Sequence, residues 1–158
     1  PARPWVMVVA KAIPFLLVGM LNVAVILVMA YTVLGLPMRG SLLLLLAECG
    51  LFVLLALSLG LLISTRTDSQ QTALFISLVG LMLPSLVFSG FMFPLENMPK
   101  PLQIISNIVP TKYFFSILKS VMIKGLGFSY VWKETLVMAG MTLVLLTLAV
   151  RSFKIRLA

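Results

Sequence analysis

Long stretches without charge decide what this sequence can fold into. Residues 12–34 and 72–93 contain no Asp, Glu, Lys or Arg, and residues 41–64 contain only one such residue. A helix needs about 20 mainly apolar residues to cross the ~30 Å hydrocarbon core of a bilayer. A fourth stretch, residues 131–150, has two charged residues near its start, where long side chains can reach the headgroups. The sequence therefore predicts an all-α membrane protein with four transmembrane helices, within one transmembrane domain over residues 1–158.

Composition excludes several classes of protein. Of the 158 residues, 61% are hydrophobic and 10% are charged, whereas soluble domains have about 25% charged residues. The net charge of +8 comes from scattered basic residues, which favours contact with anionic lipid headgroups over nucleic acid. There is no His and only one Cys, and the four carboxylates are scattered. We therefore predict no catalytic, metal-binding or cofactor-binding residues, and no nucleic acid partner.

The segment 95–124 is too polar to cross a membrane and too apolar for a simple loop. It predicts two short amphipathic helices, over residues 102–109 and 111–124, separated at Pro110. In the second helix Lys112 and Lys119 lie on a polar arc, with apolar residues opposite. Its length of about 21 Å is too short to span. It therefore lies in the headgroup plane with no special role, or it re-enters the membrane and lines or closes a path.

Glu48 is a carboxylate that lies about one or two turns inside a predicted span. A charged carboxylate in a bilayer is costly, so it suggests a proton or transport site. The alternative is a protonated or snorkelling side chain, bonded within the bundle.

Small residues recur every four positions on the second span, at Ala56, Gly60 and Ser64, and allow helix backbones to approach closely. They predict packing within one bundle, with a dimer contact as the alternative.

The basic residues do not orient the chain by number, because six fall on each side of the four spans. The cluster of Arg151, Lys154 and Arg156 directly follows the last span. Because basic residues that flank spans favour the cytoplasm, this cluster favours cytoplasmic termini.

Several local patterns, in their order and spacing, resemble the permease subunit of type-2 ABC transporters, which are mostly exporters. The first group comprises Arg3-Pro4-Trp5, Lys11-Ala12-Ile13-Pro14-Phe15, Leu36-Pro37-Met38-Arg39-Gly40-Ser41 and Gly60-Leu61-Leu62-Ile63-Ser64-Thr65. The second comprises Ser89-Gly90-Phe91-Met92-Phe93-Pro94-Leu95-Glu96-Asn97-Met98-Pro99, Pro110-Thr111-Lys112-Tyr113-Phe114 and Lys124-Gly125. The resemblance covers nearly the whole chain.

This resemblance implies partners and a location. Such permeases have six spans, pair with a second permease subunit as a homo- or heterodimer, and use separate cytoplasmic ATPase subunits that hold ATP and Mg. This chain would correspond to the third to sixth spans, the carboxy-terminal portion of a larger permease. It would lie in the bacterial inner membrane with both of its termini in the cytoplasm.

The resemblance also implies roles for individual residues. Residues 1–11 would form a cytoplasmic segment that couples to the ATPase. Its expected coupling residues are Arg3, Pro4, Trp5 and Lys11. Residues 95–124 would be re-entrant or interfacial near the outer leaflet and would form a gate. The expected gate residues are Gly90, Pro94, Pro99, Pro110, Tyr113 and Phe114.

The sequence thus predicts a permease subunit of an ATP-driven exporter that is not itself an enzyme. One alternative is a membrane scaffold or regulatory subunit that transports nothing. The other is a secondary transporter that couples to protons through Glu48.

Overall fold

Four helices in the structure, a computed structural model, are long and apolar enough to cross a membrane. It describes residues 3–90 and 93–157, and the side chains of these except Pro4 and residues 153–157. The four spans are α1 (Pro4–Thr32), α2 (Leu42–Arg66), the stretch Gln70–Phe88, and α7 (Phe128–Leu157). The prediction of an all-α membrane protein with four spans is confirmed.

Helix α1 is one uninterrupted helix that joins the predicted coupling segment to the first predicted span. Pro4 occupies the first turn, where its missing N–H costs nothing, and Pro14 lies inside the helix. Predicted for residues 12–34, this helix instead begins at Pro4 and ends at Thr32. The cytoplasmic placement of residues 1–11 stays a prediction, and Pro1 lies outside the described residues.

The third span changes its helical geometry before its proline. It consists of α3 (Gln70–Phe75), a π-helical stretch (Ile76–Met82) and α4 (Leu83–Phe88). Pro84 cannot donate a backbone hydrogen bond, and its ring crowds the carbonyl of the preceding turn, so a wider turn relieves the conflict. The predicted end of this span at residue 93 is wrong. The helix ends at Phe88, and Gly90 turns the chain with φ +88°.

Short helices fill the segment between the third and fourth spans, as predicted. A 3₁₀ turn (Leu95–Asn97) precedes α5 (Lys100–Ser106) and α6 (Pro110–Leu118), which continues as a π-helical stretch (Lys119–Ile123). The predicted bounds were wrong by a few residues, because Pro110 begins the second helix instead of separating the two. A proline in the first helical turn loses no hydrogen bond.

The core lies between α2 and α7, and α6 packs across both of them. Its fully buried side chains are Leu45, Leu55, Ile117, Val121, Val131 and Met138. Ile117 and Val121 come from the predicted apolar arc of the second short helix, whereas Lys119 on the predicted polar arc is exposed. The apolar arc of the second short helix therefore faces the core, as its spacing predicts.

Two contacts define the ends of the bundle. At the near end, where α1 begins, Arg66 Nε donates a hydrogen bond to Ser152 Oγ at 3.2 Å. At the far end, Arg39 N in the loop of residues 33–41 donates to Met122 O at 3.1 Å. The start of α1 and the last part of α7 therefore share the near end. Ala158, which we expected in the cytoplasm, lies outside the described residues.

Candidate functional site

The predicted coupling residues extend along the first two turns of α1. Arg3, Trp5 and Lys11 are exposed, and Trp5 keeps 52% of its surface accessible. Because each residue adds about 1.5 Å along a helix, Arg3 and Lys11 are about 12 Å apart along the axis. These residues, called the coupling strip below, are therefore spread along the start of α1 and around its axis and do not form a compact cluster. The side chain of Pro4 lies outside the described set.

A groove of about 710 Å³ runs between α1 and α2 from Lys11 toward the middle of the bundle. Ala56, Gly60 and Ser64 line this groove and are exposed. A Cβ placed on Gly60 would meet nothing within 4 Å. The predicted close packing along this stripe is therefore not made within the described part of the chain, and the dimer alternative stays a prediction.

The close approach between α1 and α2 occurs at a different glycine. A Cβ added to Gly19 would lie 2.6 Å from Val53 Cγ1, so only glycine fits there without a shift. Glycine at such a crossing lets helix backbones approach closely. The sequence predicted close packing around Gly60 of the second span. The close approach of the first two spans instead depends on Gly19 of the first span.

Among the predicted gate residues, Tyr113 and Phe114 fix α6 in place. The Phe114 ring stacks on Phe52 of α2, with centroids 4.4 Å apart and planes 16° from parallel. Tyr113 donates its hydroxyl hydrogen to Asn107 O at 2.6 Å, and burial raises the pKa of the Tyr113 phenol. These contacts hold α6 against α2 on one side and against the end of α5 on the other.

Gln103 closes the turn that precedes α5. Its side-chain amide donates to Leu95 O at 2.9 Å and to Met98 O at 3.0 Å, so one side chain satisfies two loop carbonyls. Pro94 precedes the 3₁₀ turn and Pro99 precedes α5, and both are exposed. The segment from Pro94 to Pro99 is therefore a closed turn rather than an open loop.

Two cavities of contrasting chemistry lie on opposite sides of α6. An apolar cavity of about 420 Å³ lies between α2, the third span and the start of α6. Phe52, Leu55, Gly80, Pro84, Val109 and Pro110 are among its lining residues. A polar cavity of about 440 Å³ lies on the other side and includes Ser89, Gly90, Pro94, Glu96, Lys119 and Lys124. The structure thus brings Gly90 and Pro94 together, separates them from Pro110, and leaves Pro99 away from both cavities.

Glu48 is buried in the contact between α2 and α7, with 3% of its surface accessible. Its Oε1 lies within hydrogen-bond distance of Thr135 Oγ1, at 2.7 Å, whereas Oε2 has no hydrogen-bond partner. Oε2 of Glu134 is likewise buried without a partner. The position that the sequence singled out is therefore a buried polar contact between two spans and not a snorkelling side chain.

Three residues that matter at these sites were absent from the sequence-based set. Phe52 and Gln103 had no distinguishing pattern, because aromatic and amide residues are frequent near interfaces. Thr135 lies in the uncharged part of the last span and is far from Glu48 in sequence. No local signal pairs residues at that separation. Within the residues described, no cluster of three or more His, Cys, Asp or Glu side chains could hold a metal ion.

Comparison of the sequence with known proteins finds transporter permeases among its relatives. Residues 1–123 match the family described as ABC-2 type transporter. The probable multidrug ABC transporter permease YbhS of Escherichia coli K12 is 39% identical over 119 residues, which are 75% of this chain and 32% of YbhS. The probable multidrug ABC transporter permease YbhR of the same strain is 32% identical over 134 residues, which are 85% of this chain and 36% of YbhR.

A third relative in that strain, the inner membrane transport permease YhhJ, is 32% identical over 123 residues, which are 77% of this chain and 32% of YhhJ. The chain therefore spans about a third of the length of these relatives. No solved structure matches it.

Proposed function

This chain belongs to the ABC-2 type transporter family, and we propose that it forms part of the translocation path of an ATP-driven exporter. Its partners would be a cytoplasmic ATPase subunit that holds ATP and Mg and a second permease subunit, identical or different. ATP hydrolysis would take place on the ATPase, so the chain itself would not be an enzyme. Its membrane would be the bacterial inner membrane, in keeping with the name of the relative YhhJ.

The main support for this proposal is that α1 and the loop after it connect the two ends of the bundle. Helix α1 has 29 residues and so extends about 44 Å from the coupling strip to the far end. The loop of residues 33–41 follows α1. The hydrogen bond from Arg39 N to Met122 O joins this loop to the π-helical stretch (Lys119–Ile123) that continues α6, called the α6 extension below. A tilt of α1 at the near end would therefore move the element that contains α6 at the far end.

The coupling strip has the chemistry that a protein partner needs at the near end. Arg3 and Trp5 are both exposed, and Arg and Trp are enriched among residues that contribute most to protein interfaces. We propose that the ATPase binds this strip, with both described ends of the chain on the cytoplasmic side. The far end would then lie at the outer leaflet.

The cavity beside α6 offers a size suited to an apolar substrate. Its volume of about 420 Å³ falls within the range of ~300–1,000 Å³ that is usual for small-molecule sites. The names of YbhS and YbhR call them probable multidrug permeases. We extend that substrate class to this chain. We propose that α6 separates the apolar cavity from the polar cavity, through which the substrate would leave.

The coupling role can be tested in the complete exporter, reconstituted with its ATPase in liposomes. The double substitution Arg3→Gln with Trp5→Ala should leave the ATPase active but reduce efflux, because the closure of the ATPase would no longer move α1. Lys133→Gln is the matched control, since Lys133 is exposed and lies outside the strip. Unchanged efflux in the double variant would refute the coupling role.

The gate can be tested by the combination Pro110→Ala with Phe114→Asp. A carboxylate at residue 114 would face Phe52 and loosen α6 from α2. We expect export to fall while the permease still assembles with its ATPase, as measured by co-purification. Ser129→Asp adds the same charge at an exposed position after α6 and should leave export intact. Wild-type efflux in the double variant would exclude a gating role for α6.

A further inference from the structure

The contact between Glu48 and Thr135 has an unequal supply of hydrogens. The Thr135 hydroxyl has two oxygen atoms within reach, Val131 O at 2.9 Å and Glu48 Oε1 at 2.7 Å. A hydroxyl group carries one hydrogen and can donate only one strong hydrogen bond, although it can also accept. The three oxygens can therefore be joined by two good hydrogen bonds only if Glu48 contributes the second hydrogen.

The other threonines of α7 indicate where the Thr135 hydrogen goes. Thr142 donates to Met138 O at 2.8 Å, and Thr147 donates to Leu143 O at 2.7 Å. In both cases the acceptor is the carbonyl four residues earlier, as Val131 O is for Thr135. Threonine hydroxyls inside apolar helices commonly form this bond. With its own hydrogen on Val131 O, Thr135 Oγ1 is left as an acceptor facing Glu48.

The surroundings of Glu48 do not suit a carboxylate anion. Its Oε2 is buried without a partner, and Glu134 lies close enough to repel it when both are ionised. No lysine or arginine within the described ranges donates to either of the Glu48 oxygens. Burial of an unpaired carboxylate costs several kcal/mol, so a bound cation is needed there.

The lack of space around Glu48 favours a proton over any larger cation. The site has 3% exposure at Glu48, and none of the cavities described above is lined by Glu48, Glu134 or Thr135. In the portion of the chain that is described, the acidic residues also fall short of a metal site. A proton needs no cavity and no further ligands.

We propose that Glu48 is a proton-binding site of the membrane domain. Its carboxyl group holds a proton and donates it in a hydrogen bond to Thr135 Oγ1, which joins α2 to α7. Release of the proton would leave a buried carboxylate in that contact with no donor to its Oε2. A proton bound to Glu48 therefore favours contact between α2 and α7. This inference does not depend on what the chain transports.

Other titratable groups around this site are few. Glu134 acts from α7, Cys49 follows Glu48 on α2, and Tyr113 of α6 packs against the same apolar cluster. Lys11 of α1 lies level with Leu61, thirteen residues along α2 from Glu48, which is about 20 Å. Among these groups, Glu134 is the one whose negative charge acts on Glu48 from the facing helix.

Infrared spectroscopy of the full chain in phospholipid bilayers tests the proposal directly. Labelling the glutamate carboxyl groups with ¹³C separates them from Asp68, so the carbonyl band of a protonated glutamate can be identified. At neutral pH we expect this band in the wild type, its loss in Glu48→Gln and its persistence in Glu134→Gln. A wild type without the band, or a band lost only in Glu134→Gln, would overturn the proposal.

Thr135 supplies a second reading that does not require a change at Glu48. Thr135→Val removes the acceptor and should shift the band to higher frequency without removing it, whereas Thr135→Ser should leave its frequency unchanged. An unshifted band in Thr135→Val contradicts the hydrogen bond from Glu48.

Cys49 reports whether the helices separate. It is the only cysteine in the chain and is buried. Raising the pH should accelerate its maleimide labelling several-fold more in the wild type than in Glu48→Gln, which shares the thiol but cannot lose the proton. Equal acceleration in both proteins would show that the proton does not hold α2 against α7.

Discussion

Replacing Gly40 with alanine should break the contact between the loop of residues 33–41 and the π-helical stretch (Lys119–Ile123) that continues α6. Gly40 lies directly against the backbone of the α6 extension, and a Cβ there would be 2.2 Å from Val121 O. The backbone of Gly40 does not have positive φ, so alanine can adopt its conformation. The consequence of Gly40→Ala therefore comes from the clash alone.

The size of the effect follows from what must move. Carbon and carbonyl oxygen atoms approach to about 3.3 Å at closest, so the loop has to shift by about 1 Å away from Val121 O. Such overpacking costs about 1–3 kcal/mol. The shift also removes the neighbouring hydrogen bond from Arg39 N to Met122 O, which contributes about 1 kcal/mol. We expect Gly40→Ala to lower the free energy of unfolding by about 2–4 kcal/mol.

The measurement is reversible unfolding in mixed micelles by titration with sodium dodecyl sulfate, followed by circular dichroism. Gly127→Ala is the matched control, because Gly127 also lies in a far-end loop, lacks positive φ, and has nothing within 4 Å of an added Cβ. It should stay within about 0.5 kcal/mol of the wild type. The close approach would be refuted by a Gly40→Ala protein that unfolds together with the control.

Three further substitutions test separate contacts by the same unfolding measurement. Phe114→Ala removes the stack on Phe52 and should cost about 3–5 kcal/mol, and a loss below about 1 kcal/mol would contradict the packing of α6 on α2. Gln103→Leu leaves its loop carbonyls without their donor and should cost about 1–3 kcal/mol, which wild-type stability would disprove. Ser152→Ala removes a part-buried hydrogen bond from Arg66 and should cost about 1–2 kcal/mol, so wild-type stability would mean that this contact does not hold the near end together.

The spans could be predicted because their signal is local. A helix in lipid must satisfy its own backbone hydrogen bonds, so a sufficiently long apolar stretch has few alternatives. The same reasoning placed α6, because its polar and apolar residues separate cleanly at helical spacing. A proline at residue 84 favours a defect in the third span, although its position alone does not show that the defect is a π-helical stretch.

The helix ends were harder to predict because they depend on single residues and their neighbours. Residues 89–93 are uncharged and were assigned to the third span, yet Gly90 ends the helix by turning the backbone. Pro110 was expected to separate two helices, but a proline can equally begin one. Uncharged composition cannot distinguish these cases.

The candidate sites could be predicted only as single residues. Glu48 stands out because a carboxylate is rare in a span, but its partner Thr135 is an ordinary residue of another span. Similarly, Phe114 was assigned to the gate without Phe52, against which it stacks. The small-residue stripe at Gly60 illustrates the opposite error, since the pattern permits close packing but does not supply the facing helix.

The distribution of burial among the spans bears on how such a domain can move. In α2 and α7, 28% and 22% of the most apolar window is buried, whereas the values are 6% for α1 and 0% for the third span. Lipid tails are as apolar as these side chains, so exposure to lipid carries no hydrophobic cost and leaves α1 weakly restrained. The helix that carries the coupling strip packs against α2 and α7, with its closest approach to α2 at Gly19 and a buried side chain at Val8. We therefore expect α1 to move relative to the packed pair of α2 and α7 more easily than these two helices move relative to each other.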